Sequence, residues 1–318
     1  MSVIAVLGAG AWGSAIACVS SGCADSVVVL TRSDAKVFSI NNGDFNPFCL
    51  PGFKFPCNVS ATCSPSLLLD ADLIFVALPA QSVRSVFKSI VSFVKTDAKI
   101  IICSKGIEKD TLLLISDVIA QIVNNKVFFL SGPNFAKEVA SGVYSFANIA
   151  GQYQDASLIA RQISTKNFFV SAVDNLKSAQ VIAALKNVMA IFCGIVDGLG
   201  FGFNTNAAAL TLALEEISRF SDAITGDSSN INNFCGVGDI VLTCCNSESR
   251  NMRLGKKIAT NSTEKDDVLT EGLYTLDSAI EIVKKHKIKA PITDLLGRIV
   301  YKKEHPKKAM QDFFAKMF

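Results

Sequence analysis

The stretch V-I-A-V-L-G-A-G-A-W-G at residues 3–13 decides the fold of this chain. Residues 3–7 are apolar and predict a short buried strand, and the small and apolar residues 14–19 predict a helix. Between them lie the glycines of a G-x-G-x-x-G pattern, Gly8, Gly10 and Gly13. In this pattern the glycines allow a tight turn, approach of backbone to a pyrophosphate, and close packing of helix on strand. With the free N–H groups at the helix N-terminus, the stretch predicts dinucleotide binding.

Composition narrows the class of protein further. The 318 residues are 50% hydrophobic and 19% charged, which indicates a globular chain with room for two domains. A net charge of +3 is too small to favour nucleic acid as a partner. Ten cysteines without a C-x-x-C pair, and only two histidines, argue against a zinc site, so no metal is expected.

The expected compartment is the cytoplasm, with most thiols reduced. No basic segment precedes the first strand, so we expect no signal peptide. The apolar run at 181–203 is the best candidate for a membrane span, but Lys186, Asn187 and Asp197 interrupt it. We therefore expect a buried helix with functional polar groups rather than a stable membrane insertion.

Alternating strands and helices fill the first half of the chain. Apolar runs predict further strands at 26–30, 73–78, 99–103, 127–131, 145–150 and 167–172. Helical patterns between them are expected at 34–43, 81–94, 111–123 and 155–165. This order predicts an α/β, Rossmann-like, doubly wound and mostly parallel sheet over residues 1–174.

The pattern changes near residue 175, after which no strand is expected. Helices are predicted at 175–197, 205–225, 239–244, 248–260, 271–286, 292–301 and 306–317. The chain is therefore expected to divide into a dinucleotide-binding domain (1–174) and an all-helical, substrate-binding domain (175–318).

Two basic residues of the first domain follow predicted strands. Arg32 stands where NAD-specific sites usually place a carboxylate, so it could stack on adenine, pair with a 2′-phosphate, or be a surface arginine. Its charge favours NADPH over NADH. Lys105 follows the strand at 99–103, beside a glycine, where it could meet an anion or simply lie on the surface.

Three features of the second domain suggest a site for a phosphorylated substrate. Lys186 and Asn187 lie within an apolar helical run, where a lysine either reaches solvent or serves chemistry. Asp239 and Thr243 would share one helix face at i, i+4. Ser247 is the expected N-cap of a helix whose first turn holds Ser249, Arg250 and Asn251, and an arginine beside free helix N–H groups suits a phosphate.

With these residues in view, the sequence resembles the NAD(P)-dependent glycerol-3-phosphate dehydrogenase family over nearly its whole length. The motifs occur in the family's order: GAGAWG (8–13), SKGIE (104–108), SGPNFAKE (131–138), ALKNVMAI (184–191), DGLGFGFN (197–204), GVGDIVLTC (236–244), SRN (249–251) and TEG (270–272). The resemblance implies reversible reduction of dihydroxyacetone phosphate to sn-glycerol 3-phosphate by NADPH or NADH, for phospholipid synthesis. It also suggests a homodimer.

The resemblance also implies roles for individual residues. Lys186 matches the proton donor and acceptor, with a pKa that burial or a second cation such as Lys105 would lower. Asp239 would orient Lys186 and a substrate hydroxyl. The expected substrate contacts are Lys105, Gly132, Asn134, Lys186, Asn187, Asp239, Thr243, Ser249, Arg250 and Asn251. The expected cofactor contacts are Gly8, Gly10, Ala11, Trp12, Gly13, Arg32, Lys105, Ala136, Arg250, Leu269 and Glu271.

Two positions depart from the family's pattern. Asn134 stands where relatives usually have Ser or Thr, and Leu212 stands where many have arginine. Other classes of protein also remain open. A β-hydroxyacid or ketopantoate-type reductase would share the two-domain plan without needing the Ser249-Arg250-Asn251 turn. A cofactor-sensing regulator would bind nucleotide without turnover, and a membrane-anchored subunit would use the 181–203 run.

Overall fold

The computed structural model describes residues 2–43, 50–260 and 271–316, and it divides into two compact units. The first unit takes in residues 1–105 and 115–176, and the second takes in 106–114 and 177–318. The expected domains placed 106–114 in the first half. This segment instead groups with the helical unit, because Ile107 bridges to Leu114 and both side chains pack into that unit's core.

The first unit is built on an eight-stranded sheet in the order β3-β2-β1-β4-β5-β6-β7-β8. Its strands are Val3–Leu7 (β1), Ser26–Leu30 (β2), Val59–Thr62 (β3), Leu73–Val76 (β4), Lys99–Ile102 (β5), Val127–Ser131 (β6), Ser145–Ala150 (β7) and Phe168–Val173 (β8). Every neighbouring pair is parallel except β6 and β7. The predicted α/β, mostly parallel class is therefore confirmed.

Near-continuous apolar runs explain why these strands lie at the centre of the sheet. All four residues of β4 are buried, as are the last four of β1 and the last three of β5. Strands buried on both faces carry no polar alternation, and helices must cover both faces. The covering helices are Ala11–Ser20 (α1), Asp34–Asn41 (α2), Val83–Ile90 (α3), Ile115–Ala120 (α4), Ala136–Ala140 (α5) and Tyr153–Ile163 (α6).

The helix expected at 111–123 is shorter than predicted, because α4 spans only Ile115–Ala120. Leu112 has a φ of 58°, a left-handed conformation that a helix cannot include. The Leu113 N–H donates to the Thr111 hydroxyl at 3.3 Å, and not to a carbonyl oxygen of a preceding helical turn. The apolar pattern of this stretch serves a turn that packs on the second unit.

The second unit is helical throughout its described residues. Its helices are Leu176–Gly198 (α7), Phe203–Thr225 (α8), Asp239–Cys244 (α9), Arg250–Thr260 (α10), Glu271–His286 (α11), Pro291–Tyr301 (α12) and Pro306–Ala315 (α13). This confirms the expected all-helical second half. α7 is the central element, because every residue from Ser178 to Val196 is buried.

Burial decides how the apolar run of α7 should be interpreted. By length and composition α7 could cross a membrane, yet the whole apolar window lies buried inside the folded chain. It is therefore the core helix of this unit, as the interrupting polar residues predicted. In the part of the chain that the structure describes, the nine cysteines are free, and no three His, Cys, Asp or Glu side chains form a group that could hold a metal ion.

Candidate active site

The glycine-rich turn after β1 has the geometry that its sequence predicts. Gly8 has a φ of 107°, and a Cβ there would lie 2.7 Å from the Ala77 carbonyl oxygen. A Cβ on Gly13 would lie 1.9 Å from the Gly8 carbonyl oxygen, so only glycine lets the first turn of α1 pack on this loop. Both positions therefore require glycine for the turn itself.

Gly10 needs a different explanation. It is the N-cap of α1, where no side chain caps the helix, and a Cβ there would meet nothing within 4 Å. Packing within the protein therefore does not demand glycine at this position. Open space before uncapped backbone N–H groups and a positive helix end suits a pyrophosphate. Ala11 and Trp12 begin this helix, and they stay predicted cofactor contacts.

Trp12 contributes more than backbone to this region. Its indole Nε1 is buried without a conventional acceptor and faces the Cys103 thiol. Burial raises the pKa of that thiol to about 12, with the Trp12 and Lys105 side chains opposing the rise. Cys103 is therefore a protonated packing residue. Lys105 itself is half-buried and follows β5, at the carboxyl edge of the sheet.

Two basic residues, Arg32 and Lys36, lie shortly after the end of β2. Arg32 is exposed and makes no hydrogen bond or ion pair with any residue that the structure describes. Ser33 caps α2 by accepting from Lys36 N–H at 3.4 Å. Lys36 Nζ donates to the Ala9 carbonyl oxygen at 3.0 Å, inside the glycine-rich turn. Sequence reasoning missed Lys36; its place in the first turn of the helix after β2 is the signal that could have found it.

The loop after β6 brings Gly132 and Asn134 together. Asn134 Nδ2 donates to the Phe146 carbonyl oxygen at 3.0 Å, and a Cβ on Gly132 would lie 2.4 Å from the same oxygen. Asn134 Oδ1 is buried with no hydrogen-bond partner among the described residues. A buried acceptor without a donor is unusual in folded proteins, and Asn134 stays a predicted substrate contact. Ala136 begins α5 directly after this loop.

In the second unit Lys186 forms a compact polar cluster with two residues of α9. The Lys186 ammonium contacts the Asp239 carboxylate, and it donates to Thr243 Oγ1 at 3.0 Å. All three side chains are buried, with Lys186 only 6% and Asp239 only 1% exposed. The predicted i, i+4 face of α9 is therefore the face that meets Lys186.

A carboxylate contacts the Lys186 ammonium within its own unit. At contact distance a carboxylate favours the ammonium form over the neutral amine. The effect of a second cation such as Lys105 on the pKa of Lys186 stays a prediction.

A kinked turn directs Asp239 toward Lys186. Phe234–Gly238 precedes α9 with non-helical angles at Gly236. A Cβ on Gly236 would lie 2.3 Å from the carbonyl oxygens of both Asn230 and Ile231. Because only glycine fits there, the chain can bend sharply and start α9 at Asp239.

A buried pair of thiols lies beside this cluster. Cys244 follows Thr243 and is buried beside Cys193, with its Sγ 4.0 Å from the Lys186 carbonyl oxygen. The hydrogen bond with Cys193, and then burial, raise the pKa of the Cys244 thiol well above its usual range. A thiol held protonated in this way is a poor nucleophile.

α10 presents the third predicted feature with one correction. The helix begins at Arg250, and Ser249 Oγ accepts from Met252 N–H at 3.3 Å, so Ser249 rather than Ser247 is the N-cap. The helix starts later than predicted because a turn precedes it, in which Ser249 N–H donates to the Asn246 carbonyl oxygen at 3.1 Å and Glu248 N–H donates to Asn246 Oδ1 at 2.8 Å. Arg250 is exposed and makes no hydrogen bond or ion pair with any described residue.

Asn187 and Asn251 are in contact, since Asn251 Nδ2 donates to Asn187 Oδ1 at 3.0 Å. Glu271 begins α11, whereas Leu269 lies outside the described residues. Leu212 is partly buried and packs against the apolar core of the second unit. The assignment of these residues to substrate or cofactor stays a prediction.

Comparison with known proteins gives a consistent result. Residues 3–157 match the family model for the NAD-dependent glycerol-3-phosphate dehydrogenase N-terminus, and residues 175–311 match that for the C-terminus. A glycerol-3-phosphate dehydrogenase (NAD(P)+) of Neorickettsia sennetsu is 40% identical over 92% of this chain and 87% of its own length. The enzyme of the same name from a Wolbachia strain is 36% identical over 94% and 95%.

Solved structures agree with the sequence comparisons. Glycerol-3-phosphate dehydrogenase from Coxiella burnetii superposes with a TM-score of 0.91 at 28% identity, covering 98% of both chains. A ketopantoate reductase from Ralstonia eutropha reaches a TM-score of 0.62 at 14% identity, covering 97% of this chain and 99% of its own. This second likeness shows the fold alone.

Proposed function

The chain belongs to the NAD-dependent glycerol-3-phosphate dehydrogenase family, and on this basis we propose that it reduces dihydroxyacetone phosphate with Lys186 as the proton donor. The product is sn-glycerol 3-phosphate, the backbone of glycerophospholipids, and the reductant is NADH or NADPH. The observation that carries this proposal is the buried Lys186 ammonium between the Asp239 carboxylate and the Thr243 hydroxyl.

The proposed chemistry assigns one proton transfer to the protein. The bound nicotinamide would supply the hydride that adds to the carbonyl carbon. Lys186 gives its proton to the carbonyl oxygen as that oxygen gains electron density, and in the reverse reaction it takes the proton back from the hydroxyl. Asp239 and Thr243 hold the ammonium in one position, because both accept its N–H groups.

The residues present fit a dinucleotide at the first unit. Gly8 and Gly13 form the turn, and Gly10 leaves open space before the uncapped start of α1. We assign Gly8, Gly10, Ala11, Trp12, Gly13, Arg32, Lys105, Ala136, Arg250, Leu269 and Glu271 to the cofactor. Arg32 is exposed and unpaired within the part of the chain that the structure describes, which supports a preference for NADPH because a guanidinium pairs well with a 2′-phosphate.

The substrate phosphate is assigned to the start of α10. Arg250 is the first residue of that helix, where a cation adjoins the positive end of the helix dipole. We assign the remaining polar groups, namely Lys105, Gly132, Asn134, Asn187, Thr243, Ser249 and Asn251, to the substrate. Asn134 supports this assignment through its buried and unpartnered Oδ1.

A direct assay tests the function. Purified protein is mixed with NADPH or NADH and with dihydroxyacetone phosphate, ketopantoate or succinic semialdehyde, and cofactor oxidation is followed. Of the three substrates, we expect turnover only with dihydroxyacetone phosphate. We expect that turnover to be faster with NADPH than with NADH. Turnover with ketopantoate or succinic semialdehyde instead would assign the chain another substrate class. Nucleotide binding without turnover would indicate a cofactor sensor.

A variant tests the phosphate site. Arg250→Ala should weaken dihydroxyacetone phosphate binding by about 1.5–3 kcal/mol, the range for a charged hydrogen bond. The control substrate is unphosphorylated dihydroxyacetone. An equal loss of kcat/KM for both substrates would show that Arg250 does not bind the phosphate.

Location and assembly are further parts of the proposal. Free cysteines in the described residues support a reducing compartment, the cytoplasm. The resemblance to the family supports a homodimer, and Phe203, 91% exposed at the start of α8, is a large apolar side chain of the kind buried at interfaces. Light scattering on purified protein, compared with a Phe203→Ser variant, tests the dimer.

A further inference from the structure

Three helices of the second unit are joined by a chain of two hydrogen bonds. The backbone N–H of Gly272, in the first turn of α11, donates to Asn251 Oδ1 at 3.2 Å. Asn251, in the first turn of α10, donates through Nδ2 to Asn187 Oδ1 on α7 at 3.0 Å. Both amides are buried, with exposures of 7% for Asn187 and 8% for Asn251.

The hydrogen bond from Gly272 fixes which group donates and which accepts in both bonds. An asparagine amide can turn over and exchange its donor and acceptor ends, but a backbone N–H can only donate. Gly272 therefore holds the oxygen of Asn251 toward itself. The nitrogen of Asn251 must then face Asn187, and it can bond there only to the oxygen. What remains of Asn187 is its Nδ2 group, which donates to no residue that the structure describes.

Glycine is required at position 272, the first donor of these two hydrogen bonds. A Cβ on residue 272 would lie 2.6 Å from Asn251 Oδ1 and 2.8 Å from the Asn187 carbonyl oxygen. Real side chains essentially never come so close. Only glycine lets the α11 backbone reach the Asn251 amide, so the close approach and the hydrogen bond depend on each other.

We propose that Asn251 is a positioning residue, which acts through Asn187 by making the Asn187 amide present its N–H donors, and not its oxygen, to the substrate. Asn187 directly follows Lys186 in α7. A fixed donor beside the proton-donating lysine selects a substrate oxygen that accepts, such as a carbonyl, hydroxyl or phosphate oxygen. This inference rests on the proposed function, and it gives Asn251 a role besides the predicted phosphate contact.

Two substitutions at position 251 separate this role from simple packing. In Asn251→Asp, one carboxylate oxygen still accepts from Gly272 N–H while the other faces Asn187. The Asn187 amide must then turn over to donate, and its oxygen faces the substrate. In Asn251→Ala no side chain at position 251 constrains the Asn187 amide, so either its N–H donors or its oxygen can face the substrate. We expect kcat/KM for dihydroxyacetone phosphate to be about tenfold lower in Asn251→Asp than in Asn251→Ala, although aspartate has nearly the original shape.

The same pair in an Asn187→Ala background supplies the control. Without the Asn187 amide there is nothing to turn over, so the two variants should then agree within about threefold. If Asn251→Asp stays about tenfold worse in that background, its charge repels the substrate directly and the positioning role is wrong. The same conclusion follows if the two variants never differ.

Folding and cofactor binding are measured alongside activity. Melting temperatures and the fluorescence titration of NADPH should be similar for Asn251→Asp and Asn251→Ala, because both keep Arg250, Glu271 and the cofactor turn of the first unit. A difference in kcat/KM that merely follows the melting temperature would contradict the proposal. Failure of the unmodified protein to reduce dihydroxyacetone phosphate would overturn the proposed function itself, which is a distinguishable outcome.

Discussion

Lys186 carries a charge into the most deeply buried helix of the second unit, and its partner explains how this is tolerated. A buried charge without a partner costs several kcal/mol, whereas a buried pair with further hydrogen bonds can roughly balance that cost. Asp239 supplies the opposite charge, and Thr243 accepts a further N–H. An apolar pair of equal volume would serve the fold as well, so the presence of this ion pair supports the proposed chemical role.

Removing Lys186 should separate activity from stability. Lys186→Met should lower kcat by about 100-fold or more, the range for loss of a general acid. It should also lower the free energy of unfolding by about 3–5 kcal/mol, because it removes the ammonium that pairs with the buried Asp239 carboxylate. Denaturant titration and steady-state kinetics measure the two effects.

The double variant Lys186→Met/Asp239→Asn is the control for this prediction. Neutralising the buried Asp239 carboxylate should recover most of the lost stability but none of the activity. Recovery of kcat in the double variant, or an undiminished kcat in Lys186→Met, would remove Lys186 from the proton transfer.

Arg32 and Lys36 should differ in what they do for the cofactor. Arg32 is exposed and unpaired among the described residues, so Arg32→Met should weaken NADPH about tenfold more than NADH. Lys36 ties to the Ala9 carbonyl oxygen, so Lys36→Met should weaken both cofactors alike by loosening the glycine-rich turn. Fluorescence titration gives the dissociation constants, with exposed Lys88→Met as the matched control. Equal losses of NADH and NADPH in Arg32→Met would argue for a surface arginine.

At the scale of elements, α7 and α10 cross in close contact, and we expect this crossing to set the width of the proposed substrate site. A Cβ on Gly194 would lie 2.2 Å from the Met252 carbonyl oxygen, and one on Gly255 would lie 2.2 Å from that of Ile191. The two helices therefore touch backbone to backbone. This contact keeps Asn251 close enough to bond Asn187 one to two turns away.

Gly194→Ala should push these helices apart. We expect a loss of about 1–3 kcal/mol in the free energy of unfolding, typical of overpacking, and a higher KM for dihydroxyacetone phosphate. NADPH affinity should change less, because most of the assigned cofactor contacts belong to the other unit and only Arg250, Leu269 and Glu271 belong to this one. Gly22→Ala is a suitable control, since its Cβ would meet its nearest neighbours at an ordinary 3.6 Å. An unchanged KM in a destabilised Gly194→Ala protein would show that the crossing does not set the site.

At the scale of the whole molecule, local patterns predicted most of the architecture. Strands such as β4 and β5 are apolar runs, and such a run predicts a buried strand wherever that strand lies in the sheet. The prediction of a helix at 111–123 was wrong at its start because the left-handed conformation of Leu112 has no signature in the local sequence. Contacts between distant residues were also beyond a sequence reading. Neither the bond between Asn251 and Gly272 nor the tie from Lys36 to Ala9 has a spacing that predicts it.

The buried carboxylate Glu216 shows the same limit. It accepts from Ile292 N–H at 2.7 Å and from Thr293 N–H at 2.8 Å, and so caps α12 from 76 and 77 residues away. From sequence it is one more acid on a helix. In the structure it is 0% exposed, and burial raises the pKa of its carboxyl above the ordinary value of 4.5.

Two carboxylates of the second unit should give its stability opposite responses to acid. The hydrogen bond from Lys256 holds the pKa of Asp197 below the ordinary value of 3.8. Its contribution is therefore present above that value and is lost as pH falls through the lower native pKa. Glu216 has a raised native pKa, so its contribution is full below 4.5 and is lost as pH rises through the native value.

Melting temperatures between about pH 6 and about pH 3 test these signs. The advantage of the unmodified protein over Asp197→Asn should shrink as pH falls, because protonation ends the pairing with Lys256. Its advantage over Glu216→Gln should grow over the same interval, because the native state binds the Glu216 proton more tightly than the unfolded chain does. If both differences moved in the same direction, one of the two carboxylates would have been given the wrong sign. Salt at high concentration should weaken the Asp197 effect more, since that pair is partly exposed whereas Glu216 is fully buried.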